Sequence, residues 1–198
     1  MRKAFFPVGL NLEGRDCVVI GASDDREAIE KTAALEESGA NVRRLTNPEA
    51  LEDEDVSGAF FVISTPQDEA LSARLRSLAD RHRFLLCCID QPAQGFVAMT
   101  AVAKAGPVRV AISTAGLAPR VGKKLKQALQ RAMDATFAAF VGELAQRRER
   151  VREAHPRADE SSLRRSDAID AAEGFEATVE FRYPNWFKAE HRSTHGRR

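Results

Sequence analysis

The 198-residue chain is short of several things at once. It has only three cysteines, two of them adjacent (Cys87 and Cys88), so it cannot be read as a disulfide-framed secreted module; buried reduced thiols are the simpler expectation. It has no apolar run of about 18 residues and no leader-like apolar segment, which argues against membrane spanning and export and for a soluble cytoplasmic protein. It also lacks a strong net charge, with 30 Lys+Arg against 29 Asp+Glu. Hydrophobic residues at 43% and charged residues at 30% exclude both a disordered chain and a fibre. No internal repeat is present.

The charge is unevenly placed. The first hundred residues carry 11 Lys+Arg against 17 Asp+Glu, the remainder 19 against 12. An acidic half followed by a basic half suggests two modules, the second facing an anion; solvated helix faces with an accidental bias account for it equally well.

Short apolar runs at 16–20 (DCVVI), 59–63 (AFFVI) and 84–89 (FLLCCI) read as buried strands. Helical spacing separates them: Ala28 and Leu35 before Ser38-Gly39, and Leu71, Leu75 and Leu78 behind Asp68 as the helix cap, with Asn41 to Leu45 as a further strand. Strands alternating with helices of 10–15 residues indicate βαβ units, an α/β Rossmann-like parallel sheet. Two further strand-like stretches, Phe96 to Val102 and Val108 to Ser113, flank a turn at Lys104-Ala105-Gly106-Pro107 and predict an appended β-hairpin. From Pro119 onward the chain reads as one helical stripe through Val121, Leu125, Leu129, Ala132, Phe137, Phe140 and Leu144, ended by His155-Pro156. The expected division is a dinucleotide-binding domain over 1–113, a helical dimerisation region over 114–154, and a C-terminal helical or linker region over 155–198. In this last region the aromatic cluster at 183–187 docks and residues 191–198 form a disordered basic tail.

Ligands of an open parallel sheet bind beyond the carboxyl ends of its strands. That rule selects Gly21-Ala22-Ser23, Ser64-Thr65 and Asp90. The first loop can bring backbone amides and a helix N-terminus to a pyrophosphate, although Ser23 and Arg26 replace the second and third glycines of the dinucleotide pattern; a plain strand–helix turn is the competing reading. Asp90, after an apolar strand and before Gln91-Pro92, is either a carboxylate at a cleft edge suited to proton transfer or the cap of a turn. His82 suits a helix C-terminus, and His155, His191 and His195 fall in polar segments. Arg147, Arg148, Arg150 and Arg152 alternate with Glu149 and Glu153, a salt-bridged face rather than a nucleic-acid-binding one. A short-chain dehydrogenase is excluded by the one tyrosine, Tyr183, which has Phe187 and no lysine four positions on.

The order Pro7-x-x-Leu10-x-Leu12-x-Gly14-Arg15 with Val18-Val19-Ile20-Gly21 resembles the start of the siroheme synthase N-terminal module and of stand-alone precorrin-2 dehydrogenases. The resemblance continues through Asp90 in CCIDQP, Gly106-Pro107, and Val110-Ala111-Ile112-Ser113-Thr114-Ala115-Gly116-x-x-Pro119 with Lys123-Lys124-Leu125, so it covers roughly residues 5 to 150. It implies NAD-dependent oxidation of precorrin-2 to sirohydrochlorin, in some members followed by insertion of Fe²⁺, and a homodimer that binds neither nucleic acid nor membrane. It places the essential aspartate at Asp90; no His/Cys cluster has metal-site spacing, so no stable metal site is expected and Asp90 is at most a transient iron ligand. It maps the substrate cleft onto Ser113, Thr114, Lys123 and Lys124, to which Gly116 and Arg120 of the same segment are added; the strand ends give the expected cofactor site as Gly21, Ala22, Ser23, Arg44, Ser64 and Thr65. Precorrin-2 carries eight carboxylates, so a basic cleft suits it. Cys87 and Cys88 point to opposite faces of a strand and cannot chelate one ion together.

The chain also departs from the family pattern. The usual Gly-Gly-Gly is Gly21-Ala22-Ser23, followed by Asp24 and Asp25; Thr-Asp-Asp becomes Thr65-Pro66-Gln67; and Met99 replaces a proline. Fewer glycines crowd a pyrophosphate and added acids oppose its charge. The competing expectation is therefore a tetrapyrrole-binding or chelatase-only homologue that does not oxidise its ligand.

Overall fold

The computed structural model describes residues 5–154 and 171–184. The chain divides into two compact units, one made of Met1–Ala105 with Arg109–Asp134 and the other of Gly106–Val108 with Ala135–Arg198.

The core of the first unit is a parallel sheet of β1 (Asp16–Ile20), β2 (Asn41–Leu45), β3 (Phe61–Ser64) and β4 (Leu85–Cys88), in the order β2-β1-β3-β4. Its two central strands bury both faces, which explains their unbroken apolar sequence. Val18, Ile20, Val62 and Leu86 pack on one face with Leu75 and Leu78 of α2 (Glu69–His82). Cys17, Val19, Ile63 and Cys87 pack on the other with Ala28 and Leu35 of α1 (Arg26–Glu36). Both helices start at an aspartate whose carboxylate takes two first-turn amides, Asp25 on α1 and Asp68 on α2. Arg83 ends α2 in the left-handed region at φ 65°.

A separate two-stranded hairpin, β5 (Ala101–Ala105) and β6 (Val108–Ile112), follows. Strand structure begins at Ala101, not at Phe96. The amides of Phe96 and Val97 both bond to the Leu86 carbonyl, and Gly95 lies so close to β4 that a Cβ would stand 3.0 Å from that same oxygen. The segment is thereby held to the edge of β4. α3 (Pro119–Ala132) packs on β5, where Gln130 brackets the Lys104 backbone, accepting from its amide at 3.0 Å and donating to its carbonyl at 2.7 Å. Lys104 and Arg109 also pair with Glu37 at the end of α1, at 2.6 and 3.5 Å.

The single helical stripe expected from Pro119 onward is two helices. Met133 leaves helical geometry (φ −87°, ψ 69°), and a new helix, α4 (Ala135–Ala154), starts after Asp134, a residue type that favours helix starts over helix interiors. In the second unit Phe175 stands 5.2 Å from the Phe140 ring and 6.0 Å from Phe137, centroid to centroid. The expected helix stop at His155-Pro156, the aromatic residues Trp186 and Phe187, the basic tail, and His191 and His195 lie outside the described residues.

Candidate functional site

The strand order places the crossover between β1 and β3, so the loops after these two strands flank one crevice. Gly21 follows β1 and Thr65 follows β3. The Thr65 hydroxyl donates to the Asp25 carboxylate and lies 3.1 Å from the Ile20 carbonyl. Asp25 in turn accepts from the amides of Glu27 at 2.9 Å and Ala28 at 3.3 Å. The Thr65 bond, first, and these two amides hold the Asp25 carboxyl below the usual range. A Cβ on Gly21 would stand 2.3 Å from the Thr65 hydroxyl and 2.9 Å from Asp25, so only glycine fits there. From β2, Arg44 reaches over the loop and donates to the carbonyls of Ala22 at 2.7 Å, Gly21 at 3.3 Å and Ser23 at 3.5 Å. Its Nε is buried without an acceptor, as is the Ser64 hydroxyl. Ala22 and Ser23 are exposed.

Asp90 lies two residues beyond β4, exposed, in the left-handed region at φ 57°, a conformation that Asp adopts more readily than most residues. Its Oδ2 accepts from the Gln67 side-chain amide at 3.2 Å. Asp90 sits in a turn closed by the Gln91 amide on the Cys88 carbonyl at 3.2 Å, so the two readings of Asp90, turn residue and cleft-edge carboxylate, both stand.

Asp90 lines a cavity of about 570 Å³ together with Ser113, Thr114 and Gly116 from the loop that joins β6 to α3. In that loop Ala115 has φ 50° and Gly116 φ 73°, and the Ser113 hydroxyl accepts from the Ala115 amide at 3.3 Å. An alanine in the left-handed region carries strain of roughly 1–2 kcal/mol, held by the surrounding turn. Cys87, Cys88, Val97 and Ile112 supply apolar wall, and burial pushes the Cys87 thiol up to about 11.

The gathering is selective. Asp90, Ser113, Thr114 and Gly116 share the cavity, whereas Arg120, Lys123 and Lys124 are exposed and stand outside its lining. Gly21, Ala22, Ser23, Arg44, Ser64 and Thr65 are outside it too, grouped instead at the β1–β3 crevice. The cavity cation is Lys31 of α1, half-buried and 3.4 Å from Glu27, which also lines the cavity. Its position had a sequence signal: Lys31 is three residues after Ala28 and four before Leu35, the two buried positions of α1, and so lies on the inward stripe. Ala115 had none, since alanine gives no warning of a positive φ. Among the described residues no three His, Cys, Asp or Glu side chains converge as a metal cluster, and no helix is long and apolar enough to cross a membrane.

A glycine that cannot carry a Cβ at the end of the first strand, and a buried guanidinium nitrogen lacking an acceptor beside it, fit a dinucleotide; the Asp25 carboxylate already on the first-turn amides narrows what is left for its pyrophosphate. By its sheet and loops this is a Rossmann-like α/β protein of the NAD(P)-binding class, and an NAD(P)-binding family model matches residues 8–101. Siroheme synthase of Xylella fastidiosa (strain M12) is 30% identical over 173 residues, covering 77% of this chain and 36% of the relative. Siroheme synthase of Hahella chejuensis (strain KCTC 2396) is 27% identical over 167 residues, covering 75% and 35%. The chain thus spans about a third of the length of these relatives. The fold is shared with SirC, a precorrin-2 dehydrogenase, at a TM-score of 0.59 and 18% identity, covering 86% of this chain and all of that one. The chain is thus a divergent relative of the siroheme synthases over part of their length, and its fold is that of SirC.

Proposed function

We propose that the protein oxidises precorrin-2 to sirohydrochlorin, with a nicotinamide dinucleotide as acceptor. The observation that carries this reading is the shared cavity of Asp90, Ser113, Thr114 and Gly116, which come from chain segments more than twenty residues apart. Gly21, Thr65 and Arg44 would hold the dinucleotide at the β1–β3 crevice, and when bound it supplies a hydride acceptor. Loss of a hydride from the macrocycle leaves a proton to be removed, and the Asp90 carboxylate at the cavity edge accepts it. Gln67 orients that carboxylate by donating to Oδ2. Ser113 and Thr114 offer hydroxyls to the substrate's carboxylates, and Lys31 offers ammonium donors alongside its pair with Glu27. Arg120, Lys123 and Lys124 add long-range attraction for a polyanion from outside the cavity. Iron insertion in the same cavity, with Fe²⁺ as substrate and Asp90 shuttling pyrrole protons, is the second step of this reading. Leu117 and Val121, 60% and 52% exposed beside the cavity loop, support a homodimer formed through residues 114–154.

The test is anaerobic incubation of the purified protein with precorrin-2 and each dinucleotide, following nicotinamide reduction. Reduction coupled to sirohydrochlorin formation is the expected result. Tight tetrapyrrole binding without reduction favours the second reading, a non-oxidising binding protein or chelatase, which Asp25 on the α1 amides supports.

A further inference from the structure

Arg44 is placed unlike the paired cations around it. Arg43, its neighbour on β2, is neutralised by Asp55 at 2.9 Å, and Lys31, Lys104 and Arg109 each pair with a glutamate. Arg44 forms no ion pair among the described residues: its guanidinium rests on three backbone carbonyls, and its Nε is buried and unpartnered. Asp25 feels the guanidinium's charge but spends its carboxylate on two amides and the Thr65 hydroxyl. The guanidinium is thus short of an anion.

Its place in the sheet says which anion. Arg44 pairs with Val19 in the β1–β2 register, 23 residues after Gly21, at the carboxyl end of β2. In a dinucleotide fold this strand end faces the adenosine ribose; an acid there takes the two ribose hydroxyls, and an arginine takes a 2′-phosphate. β2 ends Arg43-Arg44-Leu45 and is followed by Thr46 and Asn47, so no carboxylate occupies the position. Planar guanidinium donors also match phosphate oxygens in pairs.

We infer that Arg44 is a specificity residue for a 2′-phosphorylated dinucleotide, so that NADP⁺ rather than NAD⁺ is the cofactor. The inference rests on the dehydrogenase reading. The two acids of the loop do not oppose it equally: Asp25 is satisfied within the fold, and Asp24 is exposed and screened by solvent.

The experiment is a calorimetric titration of the wild-type protein with NADP⁺, NAD⁺, adenosine 2′,5′-bisphosphate and adenosine 5′-monophosphate, each alone. NADP⁺ is expected to bind at least about tenfold more tightly than NAD⁺, and the bisphosphate more tightly than the monophosphate. In Arg44→Asp the NADP⁺ preference should vanish or reverse, and Arg44→Lys should retain part of it. NAD⁺ binding as tightly as NADP⁺, or more so, overturns the inference and leaves the dehydrogenase reading standing. Binding of neither dinucleotide overturns both. If Arg44→Asp does not fold, the wild-type comparison decides by itself.

Discussion

The Thr65 hydroxyl bonds to the Asp25 carboxylate directly over the Cα of Gly21, tying the end of β3 to the start of α1. Gly21→Ala would drive a methyl group into this contact. Overpacking of this kind costs about 1–3 kcal/mol, so a lower urea midpoint with an unchanged slope is expected, together with weaker dinucleotide binding.

Acid should act on the same contact. The folded-state pKa of Asp25 is depressed, chiefly by Thr65, so its contribution to stability is complete above the ordinary aspartate value of about 3.9 and disappears as pH falls through the folded value. Wild type should therefore exceed Asp25→Asn in stability at neutral pH, and the gap should close on acidification. Denaturation of both proteins across the acid range checks this; a gap that widens towards low pH contradicts it.

Asp90→Asn should lower the rate of nicotinamide reduction by about 10²–10⁴-fold, the usual value of a positioned general base. Because Asn tolerates the left-handed region as Asp does, the variant should keep the wild-type far-UV spectrum and thermal midpoint. A variant with full activity would remove Asp90 from the chemistry.

Lys31→Met should weaken tetrapyrrole binding by about five- to tenfold, and more than Lys123→Met or Lys124→Met, because an anion inside the cavity is screened less than one outside it. Fluorescence titrations of sirohydrochlorin at two salt concentrations give the ranking.

Although Cys87 lines the cavity, its thiol should be inert in the native protein. With the pKa pushed up to about 11, about a thousandth of it is thiolate at pH 8, and alkylation should proceed only as fast as the chain unfolds.

The sheet was legible because its strands are buried on both faces and therefore uniformly apolar, and because Asp25 and Asp68 are strong helix-start residues. The Phe96 segment has the period of a strand without forming one; its partner, the single carbonyl of Leu86, is a tertiary fact that the period does not carry. The break at Met133 was hidden because the apolar positions of α3 and α4 continue one stripe. At the site, Asp90 and the Ser113–Gly116 loop could be chosen by resemblance and by strand-end position. The spacing of Lys31 to Ala28 and Leu35 puts it on the inward stripe of α1, but which cations of α3 reach the cavity depends on how the turn into α3 presents its face, and no spacing rule places Lys123 outside.

The cavity draws one edge from the end of a buried parallel sheet and the other from a loop hung on a two-stranded hairpin. A two-stranded ribbon is marginal by itself; this one is moored by Gln130 on Lys104 and by Glu37. Any molecule seated between the two edges would act as a further mooring. Amides of 108–116 should then exchange with deuterium far more slowly when the cavity is filled, while those of β1 and β3, already sealed, should hardly change.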